Sequence, residues 1–139
     1  MRKYLIATHG TMAAGIQDAL QIIAGDAQRL TVINAFVGTE NPGDQIAAYF
    51  SELREEDEVI AFTDLPGGSV NQMLMSYLNR PHIHLVSGVN LSLVLVIILN
   101  QEETDTCRLI QQAILESRMQ MLYINEEVKH WTSELKPFF

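Results

Sequence analysis

Short segments rich in β-branched and aromatic residues alternate with stretches of helical periodicity, and this alternation constrains the fold more than any other feature of the chain. The strand-like segments are Lys3–Ala7, Leu30–Phe36, Glu58–Asp64, Ile83–Gly88 and Met121–Asn125. Between them apolar residues recur at helical spacing, as at Met12, Ile16, Leu20 and Ile23. Strands that alternate with helices build parallel sheets covered on both faces. The pattern therefore predicts an α/β fold, a three-layer αβα sandwich with a mostly parallel central sheet.

One domain accounts for most of the chain. Its 139 residues are enough for a single hydrophobic core. The predicted connections are short, and Asn41 and Thr104 are residue types that open helices. The last segment differs, because charged side chains there surround several aromatic residues. We therefore expect one α/β domain over residues 1–125 and an amphipathic C-terminal extension over residues 126–139.

Charge and hydropathy exclude several classes of partner. The formal net charge of -8 at pH 7 argues against nucleic acid and against an anionic membrane surface. The longest apolar run, Leu91–Leu99, is far shorter than the ~20 residues of a membrane span, so we expect buried core and no direct membrane insertion. The apolar stretch after Lys3 is too short for a signal peptide, and the solitary Cys107 leaves no internal disulfide. These features predict a cytoplasmic protein.

Polar and glycine residues follow the first four predicted strands. They are Thr8–Gly10, Val37–Thr39, Asp64–Ser69 and Gly88–Asn90. Parallel strands end at one edge of a sheet, and ligands bind outside that edge. Gly67 and Gly68 can turn successive N–H groups toward one anion, and Ser69 can add a hydroxyl. The sequence therefore predicts an anion site at this edge, beside His9.

His9 and Asp64 are the candidate catalytic residues. A free imidazole is mostly neutral at pH 7, and the N–P bond that it forms stays labile. Asp64 can accept the N–H of one ring nitrogen, which leaves the lone pair of the other free, and can stabilise positive charge on the ring. These residue types fit phosphoryl transfer, but they do not choose between a carrier and a hydrolase.

Four stretches of the chain resemble the enzyme IIA domain of the mannose-type bacterial sugar phosphotransferase system. They are Leu5–Gly15, Asn41–Pro42, Asp64–Ser69 and Ser87–Leu91. Their order and spacing match that family over about residues 1–125, which are therefore identified as a mannose-type enzyme IIA domain.

The resemblance implies a phosphoryl relay for sugar uptake. The phosphocarrier protein HPr would phosphorylate His9, and His9 would pass the group to a histidine of a cognate enzyme IIB. Asp64 would orient the histidine, with Gly10, Gly67, Gly68 and Ser69 as phosphoryl-binding residues, and no metal or cofactor would take part. The resemblance also implies a homodimer that exchanges its last strand, Met121–Asn125.

Some residues depart from the family pattern, and other readings stay open. Val70, Ser92 and Leu93 stand where the family usually has proline, proline and methionine, which leaves the sugar and the enzyme IIB partner undetermined. The first rival is the phosphocarrier subunit of a phosphotransferase-dependent dihydroxyacetone kinase. The others are a non-catalytic regulatory anion-binding module and a hydrolase. His82 and His84 lie on one side of the fourth predicted strand, but no third metal ligand is near them in the sequence.

Overall fold

The structure, a computed structural model, describes residues 1–25 and 29–131. Strands and helices alternate through most of these residues. In chain order the elements are β1 (Arg2–His9), α1 (Met12–Ala24), β2 (Leu30–Ala35), α2 (Pro42–Ser51), β3 (Glu58–Thr63), α3 (Ser69–Met75), β4 (Ile83–Ser87), α4 (Leu91–Leu99), α5 (Thr106–Arg118) and α6 (Ile124–Glu127). The predicted α/β fold is confirmed.

The strands form one parallel sheet in the order β2-β1-β3-β4. The inner strand β1 pairs with β2 on one side, where His9 lies opposite Ala35, and with β3 on the other, where Ala7 lies opposite Thr63. Residues 4–8 of β1 are buried. A parallel strand that is covered on both faces needs such a nearly continuous apolar run. The register brings the carboxyl ends of β1, β2 and β3 to one edge, as the sequence predicts.

Helices cover both faces of the sheet. Successive side chains of a strand point to opposite faces, so Tyr4 and Ile6 of β1 pack on one side and Leu5 and Ala7 on the other. The first pair joins a core cluster with α1, α4 and α5, and the second joins a cluster with α2 and α3. The predicted three-layer sandwich follows from this division of the core.

Helix α4 corresponds to the apolar run Leu91–Leu99 and is part of the core, as expected. Val94, Ile97 and Ile98 are fully buried, because α4 packs against α1 and α5 and shares one core cluster with side chains of the sheet. Among the helices of residues 1–25 and 29–131, none has the length and hydropathy needed to cross a membrane.

The helix starts agree with the sequence at α2 and differ by one residue at α5. Asn41 Oδ1 accepts the Asp44 N–H at 3.2 Å, so Asn41 caps α2. At α5 the cap is Asp105, whose Oδ1 accepts the Arg108 N–H at 3.2 Å. Aspartate is at least as common as threonine at helix N-caps. The hydrogen bond to Arg108 shows that Asp105, and not Thr104, caps α5.

The predicted strand Met121–Asn125 is wrong for this single chain. Residues 121–123 have no regular structure, and α6 begins at Ile124. A strand forms only beside another strand, and this segment pairs with none in the described chain. Local hydrogen bonds form a helical turn instead, as from Val128 N–H to the Ile124 carbonyl at 3.0 Å. The exchange of this segment between two copies stays a prediction, as does the extension over 126–139, of which residues 132–139 lie outside the described residues.

Candidate functional site

The site lies where β1 and β3 end. His9 is the last residue of β1, and Asp64 directly follows β3. The His9 side chain is 45% exposed, whereas Asp64 is only 11% exposed. The sheet edge thus brings together the two residues that the sequence predicts there, and it leaves the imidazole accessible and the carboxylate shielded.

Asp64 holds His9 at two points. Its Oδ2 atom lies 2.8 Å from the backbone N of His9 and 2.8 Å from the ring Nδ1. A carboxylate can only accept hydrogen bonds, so in the neutral ring the proton lies on Nδ1 and the lone pair on Nε2. The second oxygen, Oδ1, accepts the Leu65 N–H at 2.9 Å.

The charge of Asp64 is stabilised by the same contacts. Burial opposes ionisation, but hydrogen bonds from the His9 backbone, the His9 ring and the Leu65 N–H outweigh it, so the pKa of Asp64 lies below its ordinary value of 3.8. Asp64 is therefore an anion at neutral pH, positioned to stabilise positive charge on the imidazole.

The turn after Asp64 approaches the other ring nitrogen of His9. Ser69 Oγ lies 3.2 Å from Nε2. Gly67 has a φ of +76°, which an L side chain rarely adopts. A Cβ on Gly68 would meet the Leu65 carbonyl oxygen at 3.2 Å and His9 Cε1 at 3.8 Å. Glycine at position 68 therefore suits the tight turn itself, because the Leu65 carbonyl oxygen leaves little room for a side chain, whereas the distance to the ring is an ordinary van der Waals contact.

At the start of α3, the backbone N–H group of the exposed Ser69 is available to an anion. The N–H groups of Ser69 and Val70 make no hydrogen bond within the described chain, as is usual for a first helical turn. The Gly68 N–H, in contrast, donates to the Leu65 carbonyl at 3.1 Å. Val70 is fully buried, so the accessible free N–H group after the double glycine is that of Ser69, whose hydroxyl lies 3.2 Å from Nε2.

At the start of α1 the protein itself satisfies several N–H groups, whereas those of Thr11 and Met12 make no hydrogen bond within the described chain. The Gly10 N–H donates to the Ala35 carbonyl at 2.8 Å. Thr8 Oγ1 accepts the Ala13 N–H at 2.9 Å, and Asn34 Oδ1 accepts the Ala14 N–H at 3.2 Å. Gly10, with a φ of +62°, turns the chain between β1 and α1.

Asn90 lies at the same edge but serves the helices. Its Oδ1 accepts the Leu93 N–H at 3.0 Å and the Ser117 hydroxyl at 2.9 Å. Its Nδ2 atom is 3.5 Å from the Gly88 carbonyl. Asn90 therefore caps α4 and ties it to α5, and makes no hydrogen bond to His9.

Phe36 contacts His9 and was missed by the sequence reasoning. The two ring centroids are 5.3 Å apart, with an angle of 29° between the planes. The available signal was its place beside Val37–Thr39, the polar cluster after β2. The sequence analysis assigned Phe36 to the strand, whereas β2 ends at Ala35.

His84, one of the two histidines near the start of β4, lies away from this site. Its Nε2 atom lies 3.3 Å from Oε2 of Glu58. Glu58 is the first residue of β3, so this contact is at the opposite edge of the sheet. Within residues 1–25 and 29–131 no group of three or more His, Cys, Asp or Glu side chains could hold a metal ion.

The family model described as PTS system fructose IIA component matches residues 3–114. The match includes His9 and the turn from Asp64 to Ser69. The chain belongs to this mannose-type enzyme IIA family. The protein is thus a IIA-type component of a sugar phosphotransferase system, with the general phosphotransferase role that this membership implies.

Solved structures agree with the family. A protein from Klebsiella pneumoniae subsp. pneumoniae MGH 78578, assigned as a phosphoenolpyruvate-dependent sugar phosphotransferase system permease, is 31% identical with a TM-score of 0.88, over 91% of this chain and 93% of that one. Component EIIA from Streptococcus agalactiae is 27% identical with a TM-score of 0.76, over 91% and 99%. The mannose/sorbose specific IIA subunit from Enterococcus faecalis, 18% identical with a TM-score of 0.72 over 99% and 98%, shares the fold. No curated protein matches the chain significantly.

Proposed function

We propose that this protein is cytoplasmic and carries the phosphoryl group on His9, receiving it from phospho-HPr on Nε2 and passing it to a histidine of a cognate enzyme IIB. The observation that carries this proposal is the contact of Asp64 with Nδ1 at 2.8 Å. Since Asp64 occupies one ring nitrogen, the nucleophile is the other, and the half-exposed ring is open to a protein partner.

The transfer step follows from this tautomer. The lone pair of Nε2 attacks the phosphorus of phospho-HPr, the donor N–P bond breaks, and its electron pair returns to the donor imidazole. Positive charge develops on the His9 ring, where Asp64 stabilises it. The Ser69 hydroxyl and the free N–H group of Ser69 are donors for the phosphoryl oxygens. The reverse sequence delivers the group to enzyme IIB.

The test is a phosphoryl relay from phosphoenolpyruvate through enzyme I and HPr, read by the mass of the protein. We expect wild type to gain one phosphoryl group and His9→Ala to gain none. His130→Ala is the matched control, because His130 is an exposed histidine of the last described residues and makes no contact with the site. Labelling of His9→Ala would mean that another histidine carries the group.

The rival functions give different outcomes in the same assay. Failure to label wild type would favour a regulatory anion-binding module, and steady phosphate release without an acceptor protein would favour a hydrolase. Recovery of a kinase subunit as the bound partner would favour the dihydroxyacetone kinase system.

Sedimentation tests the expected homodimer, and a monomer at all concentrations would contradict it.

A further inference from the structure

Phe36 combines an unfavourable backbone conformation with an exposed aromatic ring. Its φ is +65°, and its side chain is 55% exposed. A bulky residue with positive φ is a steric outlier, because Cβ approaches the following carbonyl oxygen. Neither core burial nor backbone preference therefore accounts for phenylalanine at this position.

The contact that does account for it is with the nucleophile. The Phe36 ring stacks on the His9 imidazole at 5.3 Å between centroids and 29° between planes, within the range of favourable aromatic pairs. The backbone holds the two residues in place, because the Gly10 N–H donates to the Ala35 carbonyl at 2.8 Å. Gly10 follows His9 and Ala35 precedes Phe36, so this hydrogen bond links the backbones next to the two stacked residues.

We propose that Phe36 is a positioning residue for phosphoryl transfer, an inference that rests on the proposed function of His9. The hydrogen bond from Nδ1 to Asp64 fixes one atom of the ring but leaves the ring plane free to tilt. Packing of Phe36 on one face removes this freedom and keeps Nε2 beside Ser69 Oγ, at 3.2 Å. Small errors in the alignment of a nucleophile slow a reaction strongly.

Substitution by glycine separates a positioning role from a structural one. Phe36→Gly removes the ring and also relieves the positive φ, so we expect unfolding in urea at an equal or higher concentration than for wild type. At saturating phospho-HPr, transfer should be about tenfold slower. Phe36→Tyr keeps the aromatic face and should restore most of the rate. A variant that loses stability together with activity, or Phe36→Gly with the wild-type rate, would overturn the proposal.

A small phosphoryl donor separates positioning from docking. Phosphoramidate already carries its proton on nitrogen as an NH₃⁺ group, so when Nε2 attacks phosphorus and the P–N bond breaks, the bonding electron pair leaves with neutral ammonia and the His9 ring takes the positive charge. This donor has no protein surface, so positioning predicts that Phe36→Gly slows both donors similarly. If Phe36 only binds HPr, the loss will appear in KM for phospho-HPr and the phosphoramidate rate will be unchanged, which would refute the proposal. Val37→Ala is the control, since Val37 is an exposed apolar neighbour without a stacking contact.

NMR of the His9 ring gives a readout that is independent of rate. The stacked ring should shift the carbon-bound protons of the His9 imidazole upfield in wild type and in Phe36→Tyr, and the shift should vanish in Phe36→Gly while Nδ1 stays protonated. Unchanged shifts in Phe36→Gly would overturn the proposal. The relay assay tests the proposed function separately, because it asks only whether wild type is phosphorylated and His9→Ala is not. Failure of this inference is therefore distinct from failure of the proposed function.

Discussion

Replacement of Asp64 by asparagine removes the charge that faces His9 and keeps the size of the side chain. In wild type, one carboxylate oxygen accepts hydrogen bonds from both the backbone and the ring of His9, each at 2.8 Å. Asparagine can accept through its oxygen but carries no charge, and its NH₂ group favours the opposite tautomer if it faces Nδ1. We therefore expect Asp64→Asn to fold and to transfer phosphate slowly.

The size of the effect follows from the lost electrostatic stabilisation. Unit charges about 4 Å apart attract by about 4 kcal/mol at an effective dielectric constant of about 20. Because the His9 side chain is 45% exposed, screening by water reduces this attraction, to about 2 kcal/mol by our estimate. A loss of about 2 kcal/mol slows transfer about 30-fold, and the wrong tautomer adds to that figure.

The assay is single-turnover transfer from phospho-HPr, followed by rapid quenching. Asp57→Asn is the matched control: Asp57 is also buried and accepts the Arg54 N–H at 3.0 Å, but it precedes β3 at the opposite edge of the sheet. Its variant should transfer at the wild-type rate. A rate for Asp64→Asn within about twofold of wild type would refute the electrostatic reasoning.

Three further predictions concern pH, the Ser69 hydroxyl and the core. Ionised Asp64 stabilises the fold above its ordinary pKa of 3.8, and this contribution is lost as pH falls below 3.8 through the lower pKa of the folded state. The urea stabilities of wild type and Asp64→Asn should therefore differ by a constant amount near neutral pH and converge as pH falls below 3.8, and a difference that stays constant there would contradict this. Ser69→Ala loses the hydroxyl 3.2 Å from Nε2 and should slow transfer about 2- to 10-fold with unchanged stability; equal rates would exclude a role for the hydroxyl. Phe62→Ala, at a fully buried position of β3, should lower the free energy of unfolding by about 3–5 kcal/mol in urea, and a loss below about 1 kcal/mol would contradict its place in the core.

Much of the site was predictable because parallel strands end together. The runs before His9 and Asp64 have the apolar character of buried strands, and the edge rule then brings both residues to one place. The same rule also included Asn90, which lies at the edge but caps α4. The position of a residue at the end of a strand predicts that it lies at this edge of the sheet. It does not predict whether its polar side chain faces the site or caps a nearby helix.

The sequence by itself determined the order of strands and helices, the buried character of β1 and the residue types at the sheet edge, since these depend on local periodicity and turn chemistry. Only the tertiary structure decided the contacts between residues far apart in the chain: Asp64 on Nδ1 of His9 across 55 positions, Ser69 beside Nε2 across 60, and Phe36 on the ring face. It also decided that Met121–Asn125 is not a strand here, because strand formation needs a partner and no local pattern supplies one.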